Sequence, residues 1–174
     1  VAPPIAADWQ KYFYEQMDKA IKPPLDEAQK YRLFKMFEIE RRPIGHPTPR
    51  DIITYVNEIA LYAEQWHDEI PLEAISLYLA CRSRLSASPD AIIADDLVDE
   101  YAVGISGLGS KWRKFVAALF YNVNSEHSER VMLEYRLNEA LTGDNAASLS
   151  QMAKLPNFGS ALSDVVQQEA SSWA

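Results

Sequence analysis

The acidic run DDLVDE, Asp95–Glu100, is the densest set of candidate metal ligands in the chain. Asp95 and Asp99 stand four residues apart. On a helix that spacing puts two carboxylates on one face, where with Asp96 they could bind a magnesium ion. Such a site needs a second carboxylate motif facing the first. The other acidic stretch, NSEHSE at 124–129, has the wrong spacing. Asp95, Asp96 and Asp99 therefore read as a solvated helix face, and a small diphosphate-processing enzyme is the remote alternative. His46, His67 and His127 lie in three separate segments with no ligand-spaced partners, so no metal site is expected and surface or capping roles are. The single cysteine, Cys81, has no disulfide partner and sits in an apolar run, which predicts a buried core thiol in a reducing compartment.

One further stretch carries chemistry of a different kind. HPTPRDIITYVN, 46–57, is written as a helix start. Thr48 suits the N-cap, Pro49 the first helical position, and Asp51 a capping box at the positive helix end. Arg50 is thereby placed in the first turn, where a guanidinium could reach a phosphate held outside the helix. Its neighbourhood is basic. From Ala28 to Arg50, Lys30, Arg32, Lys35, Arg41, Arg42 and Arg50 are set against only Glu38 and Glu40 in sequence, which makes Arg41 and Arg42 a candidate anion patch beside Arg50.

The elements that must position these residues are helical. The chain has 174 residues, 48% hydrophobic, enough for a packed core. Trp9, Phe13, Met17 and Ala20 align on a first helix from about residue 7 to 21. Tyr31, Phe34 and Phe37 form the stripe of a second, with Lys30, Arg32 and Lys35 among its polar positions. The third runs from Pro49 to about Trp66 and buries Ile52, Tyr55 or Val56, Ile59, Ala63 and Trp66. A fourth opens near Pro71 with Ile75, Tyr78, Leu79 and Leu85. Ser88-Pro89 repeats the cap pattern before Ile92, Ile93, Leu97 and Tyr101. VGISGLGS, 103–110, holds three of the six glycines and reads as the main internal loop. Helices from about Ser110, from Asn124 or Ser125 to Gly143, and over about 145–155 and 158–172 complete an all-α compact bundle of about eight to ten short helices. It is taken as one domain, 1–174, with lid-like helices over about 7–101 and C-terminal helices over about 109–172.

Net charge of −8 argues against a broad nucleic-acid surface. No apolar run reaches the roughly 18 residues of a membrane span, and no signal peptide opens the chain, so a cytoplasmic protein is expected. No nucleophile elbow is present, and GISGLGS lacks the GK[ST] ending of a phosphate loop.

The run TPRDIITYVNEIALYAEQWHDEIPLEAISLYL, 48–79, resembles the helical lid that follows the nucleotide-binding core in KAP-type P-loop NTPases, a bacterial-rich branch of the AAA/STAND-like ATPases. There the lid helix opens on Pro-Arg and continues into an aromatic or aliphatic residue, an apolar residue and Asn, as Pro49-Arg50 and Tyr55-Val56-Asn57 do here. FVAALFYNVNSE and ALTGD extend the likeness, which covers most of the chain from about Trp9 to Val166. The resemblance implies a sensor-2-type role for Arg50, touching the γ-phosphate of nucleotide on the core, and a structural role for Asn57. ATP and magnesium would belong to the parent protein. The P-loop, its lysine and the Walker B carboxylate are missing, so this chain alone is not expected to hydrolyse ATP. A chain that starts without Met is expected to be a fragment whose first partner is its own upstream NTPase core. The alternative is a helical protein-interaction or adaptor module with no nucleotide link.

Overall fold

The computed structural model describes residues 6–41, 45, 47–67, 69–87, 92 and 96–172. Among them every regular element is helical: α1 (Ala6–Ala20), α2 (Glu27–Arg41), α3 (Pro49–Trp66), α4 (Leu72–Ala87), α5 (Asp96–Ile105), α6 (Trp112–Tyr121), α7 (Ser125–Thr142), α8 (Ala146–Met152) and α9 (Phe158–Ser172). The chain gathers into two compact units, Val1–Val116 and Ala117–Ala174, and the division falls within α6.

In the first unit, α1 packs on α2 and α3, α2 on α4 and α5, and α4 on α3 and α5. Trp9, Phe13 and Met17 are buried on α1 at a spacing of four, the inward stripe of an amphipathic helix. Phe13 meets Phe34, Phe37 and Tyr55 at centroid distances of 5.5, 5.6 and 6.4 Å, and Phe37 meets Tyr55 at 5.2 Å. The ring planes are tilted or edge-on, the arrangement that aromatic quadrupoles favour. The Tyr55 hydroxyl lies 2.7 Å from Ser76 Oγ and donates to the Ser76 carbonyl at 3.0 Å, so the one polar atom of the cluster is satisfied.

Two expectations are corrected here. α2 buries Lys30, Leu33, Phe34, Met36 and Phe37, whereas Tyr31 is exposed. A single stripe fits a helix packed on one side. α2 is covered by α1, α4 and α5, so its buried arc is wide and includes the stem of Lys30. The glycine-rich VGISGLGS is loop only in part. α5 continues to Ile105, a turn follows, and Gly109–Lys111 form one 3-10 turn before α6. Gly104 belongs inside the helix because a Cβ there would run into Cγ and Sδ of buried Met36. The glycine allows α2 and α5 to approach closely. The Ser88-Pro89 cap lies outside the described residues.

In the second unit, α7 packs on α8 and α9. Met132, Leu133, Leu137 and Ala140 of α7, Met152 of α8, and Ala161 and Val165 of α9 are buried. Asn124 caps α7, its side-chain oxygen accepting from the Glu126 N–H at 2.7 Å, and Gly143 closes it.

The α3 start folds as its residues dictate. Thr48 is the N-cap with extended backbone, Pro49 is the first helical residue, and the capping box is complete. The Asp51 N–H donates to Thr48 Oγ at 3.3 Å, and the Thr48 N–H and hydroxyl donate to Asp51 Oδ2 at 2.8 and 2.7 Å. These bonds to the Thr48 side chain and backbone hold the Asp51 carboxyl below its ordinary range. A depressed folded-state value contributes stability above the unfolded pKa, lost as pH falls through the folded one. Thr48→Ala should cost about 1 kcal/mol at neutral pH. As pH falls through the depressed folded-state pKa of Asp51, its carboxylate protonates and the deficit should narrow. Urea unfolding of both proteins at pH 7 and pH 3 measures it.

Candidate functional site

Arg50 is the second residue of α3 and is exposed. It makes no hydrogen bond or ion pair to another described residue. The capping box fixes the backbone on both sides of it, so the guanidinium projects from a rigid helix start.

The remaining cations of the neighbourhood are placed differently from what their sequence context implies. Lys30 Nζ lies 2.8 Å from the Asp18 carboxylate and 3.4 Å from Glu27. Arg32 donates twice to Glu73 Oε1, at 2.8 and 3.2 Å. Lys35 pairs with Glu38 and lies over the Tyr31 ring. Arg41 is gripped by Glu40 at 2.9 Å and Asp51 at 3.3 Å, and its guanidinium stands over Phe37, 5.9 Å from the ring centroid. Asp18, Glu73 and Asp51 come from other elements, so the local excess of positive charge is neutralised on folding. Arg41 is therefore a bracket between α2 and α3. Arg42 and His46 lie outside the described residues.

Glu40, Arg41, Asp51, Glu58 and Arg82 form a band of charge across α2, α3 and α4, with Arg82 donating to Glu58 at 3.1 Å. Burial pushes the Glu40 carboxyl above its ordinary value, against the pull of Arg41 and Arg82. Its Oε2 and Arg41 Nε are buried and, although close, are not aligned as a hydrogen bond. The band ties the start of α3 to its neighbours.

No group of three His, Cys, Asp or Glu among the described residues could hold a metal ion. Asp95 and the side chains of Asp96 and Asp99 lie outside the described residues. Cys81 is buried, and burial pushes its thiol up to about 12, far from a reactive thiolate at neutral pH. His67 is exposed in a left-handed conformation as the C-cap of α3, and His127 is exposed near the start of α7. A cleft of 640 Å³ between the end of α1, the loop to α2 and the C-terminal half of α3 is lined by Ile21, Lys22, Leu25, Ala63, Glu64 and His67. It brings no catalytic grouping together. Among the described residues no helix is long and apolar enough to cross a membrane. No family model matches the chain, and neither a curated protein nor a solved structure matches it.

Sequence reasoning missed the Arg32–Glu73 pair, whose partners lie 41 residues apart. The one signal was a glutamate at the second position of an otherwise apolar helix start, LEAISLYL.

Proposed function

We propose that this chain is a regulatory helical lid of a P-loop NTPase, acting in the cytoplasm with an upstream nucleotide-binding core. Arg50 is its sensor-2-type contact. ATP and magnesium would be held by that core, and this chain would perform no hydrolysis by itself. The observation that carries the reading is Arg50 itself. Lys30, Arg32, Lys35 and Arg41 are held by carboxylates in ion pairs, while Arg50 stands exposed on a capped helix start with no hydrogen bond or ion pair to a described residue, touching the charge of neighbouring Asp51 only through space. A cation at a positive helix end is disfavoured locally, so an anion from outside the chain would relieve it. The likeness of residues 48–79 to KAP-type lids supports the same role.

The test is ATP turnover by the full natural polypeptide that contains this chain. Arg50→Ala should lower kcat about ten- to a hundredfold, the scale of losing one preorganised donor. Arg50→Lys should retain part of the rate, because the charge survives without the planar fork. Unchanged turnover and unchanged nucleotide dependence in Arg50→Ala would remove the sensor role.

A second reading is a helical interaction module without nucleotide. It is supported by large apolar side chains left in solvent, Leu61 at 62% and Ile53 at 40% on α3 and Tyr135 at 57% on α7. It expects partner binding that is indifferent to nucleotide.

A further inference from the structure

The outward face of α3 has an internal symmetry that neither its fold nor a sensor role requires. Arg50, Ile53, Asn57, Leu61 and Glu64 are all exposed. At 100° per residue the other four fall within about 40° of Asn57 around the helix, so the five form one stripe. The stripe is balanced about its centre. Arg50 and Glu64 each lie seven residues from Asn57, and Ile53 and Leu61 each lie four residues from it. The charges at its ends are opposite. Arg50 is in the first turn, at the positive end of the helix, and Glu64 is in the last turn, at the negative end, where no basic residue is present. Both are therefore disfavoured by their own helix dipole; Asp51 lies in electrostatic reach of Arg50, and Glu64 lines a cleft with Lys22 and His67, but neither has an ion pair among the described residues. The opposite, inward face carries Ile52, Tyr55, Val56 and Ile59.

We propose that this face is a self-association surface, on which α3 pairs antiparallel with α3 of a second copy of the chain, Asn57 lying on the twofold axis. The axis brings Arg50 to the partner subunit's Glu64 and Ile53 to the partner subunit's Leu61. Each contact then occurs twice, as in any isologous interface. Asn57 meets the partner subunit's Asn57, where an amide can both donate and accept, and one polar residue in an apolar seam fixes register. The antiparallel arrangement sets each misplaced charge beside its complement and opposes the two helix dipoles. This second copy is the occupant that the charge order selects, since a parallel pair would stack like charges at both ends. The inference does not rest on the lid reading. It adds that pairing and phosphate contact would compete for Arg50.

Sedimentation of the 174-residue chain from about 5 to about 500 µM, without nucleotide, tests it, a range suited to an interface of this small size. The expected result is a monomer–dimer equilibrium that weakens as salt is raised. Arg50→Glu and Glu64→Arg should each weaken the dimer about tenfold, because each change sets like charges together twice. The double variant should recover to within about threefold of the parent. Asn57→Cys should be joined by a short bis-maleimide, with Cys81 buried and silent, whereas Ser83→Cys on exposed α4 surface should not. Circular dichroism checks that each variant folds. A monomer across the whole range overturns the proposal. So does a dimer indifferent to the charge reversals, or one that cross-links equally well through Ser83→Cys. Because no nucleotide is present, these outcomes are independent of ATP turnover.

Discussion

Phe37→Ala is expected to cost about 3–5 kcal/mol, the largest stability loss of any single change proposed for this protein. Phe37 is fully buried on α2. Its ring lies 5.6 Å from Phe13 on α1, 5.2 Å from Tyr55 on α3 and 6.5 Å from Phe34 on its own helix, and the Arg41 guanidinium lies over it. Truncation removes the transfer energy of the ring and leaves a void whose walls belong to three helices. Rings held by three separate backbones cannot all collapse into the same space, so the cavity cost remains. Tyr31→Ala is the internal control. It is on the same helix and is another aromatic-to-alanine change, but the side chain is 42% exposed, and the loss should stay below about 1 kcal/mol. Urea midpoints for the two variants, with m-values compared, give both numbers. Similar losses at the two positions would mean that the aromatic cluster is not the centre of the first unit.

The second large effect concerns Arg32. Its guanidinium donates two hydrogen bonds to Glu73, whose side chain is 10% exposed, while Arg32 itself is 24% exposed. The asymmetry predicts unequal single mutants. Arg32→Met strands a carboxylate among the apolar residues at the α4 start and should cost about 2–4 kcal/mol. Glu73→Leu should cost less, because the long arginine stem can carry its charge outward to water. The double variant should recover most of the Arg32→Met loss, since a well-packed apolar pair often matches a buried ion pair. Denaturant unfolding of the four proteins closes the cycle. An Arg32→Met loss below about 0.5 kcal/mol would show that the pair contributes nothing beyond a surface contact.

Phe34 and Phe37 were legible as core because their spacing is periodic and their chemistry unambiguous. Tyr31 satisfied the same periodicity and is exposed. Period gives a direction around the helix but not how many neighbours surround it, and α2 has three. Arg32, Lys30 and Arg41 looked available because their carboxylate partners, Glu73, Asp18 and Asp51, are remote in sequence or lie across a turn. Gly104 looked like a loop residue because glycine is a helix breaker on average. Only the packing of α5 against Met36 shows why a helix holds it.

The sequence by itself determined that the protein is helical, where the α3 start lies, and how it is capped. Those features depend on interactions that span four residues or fewer, so the residues that make them are adjacent in the text: Thr48 with Asp51, Pro49 at the first position, Asn124 with Glu126. The tertiary structure alone decided which of the described cations near the α3 start are neutralised. Coulomb energy depends on distance in space, and folding sets that distance between residues tens of positions apart. By that criterion Arg41 became a bracket, Arg50 remained exposed, and Arg50 and Glu64 on α3 have no ion pair among the described residues.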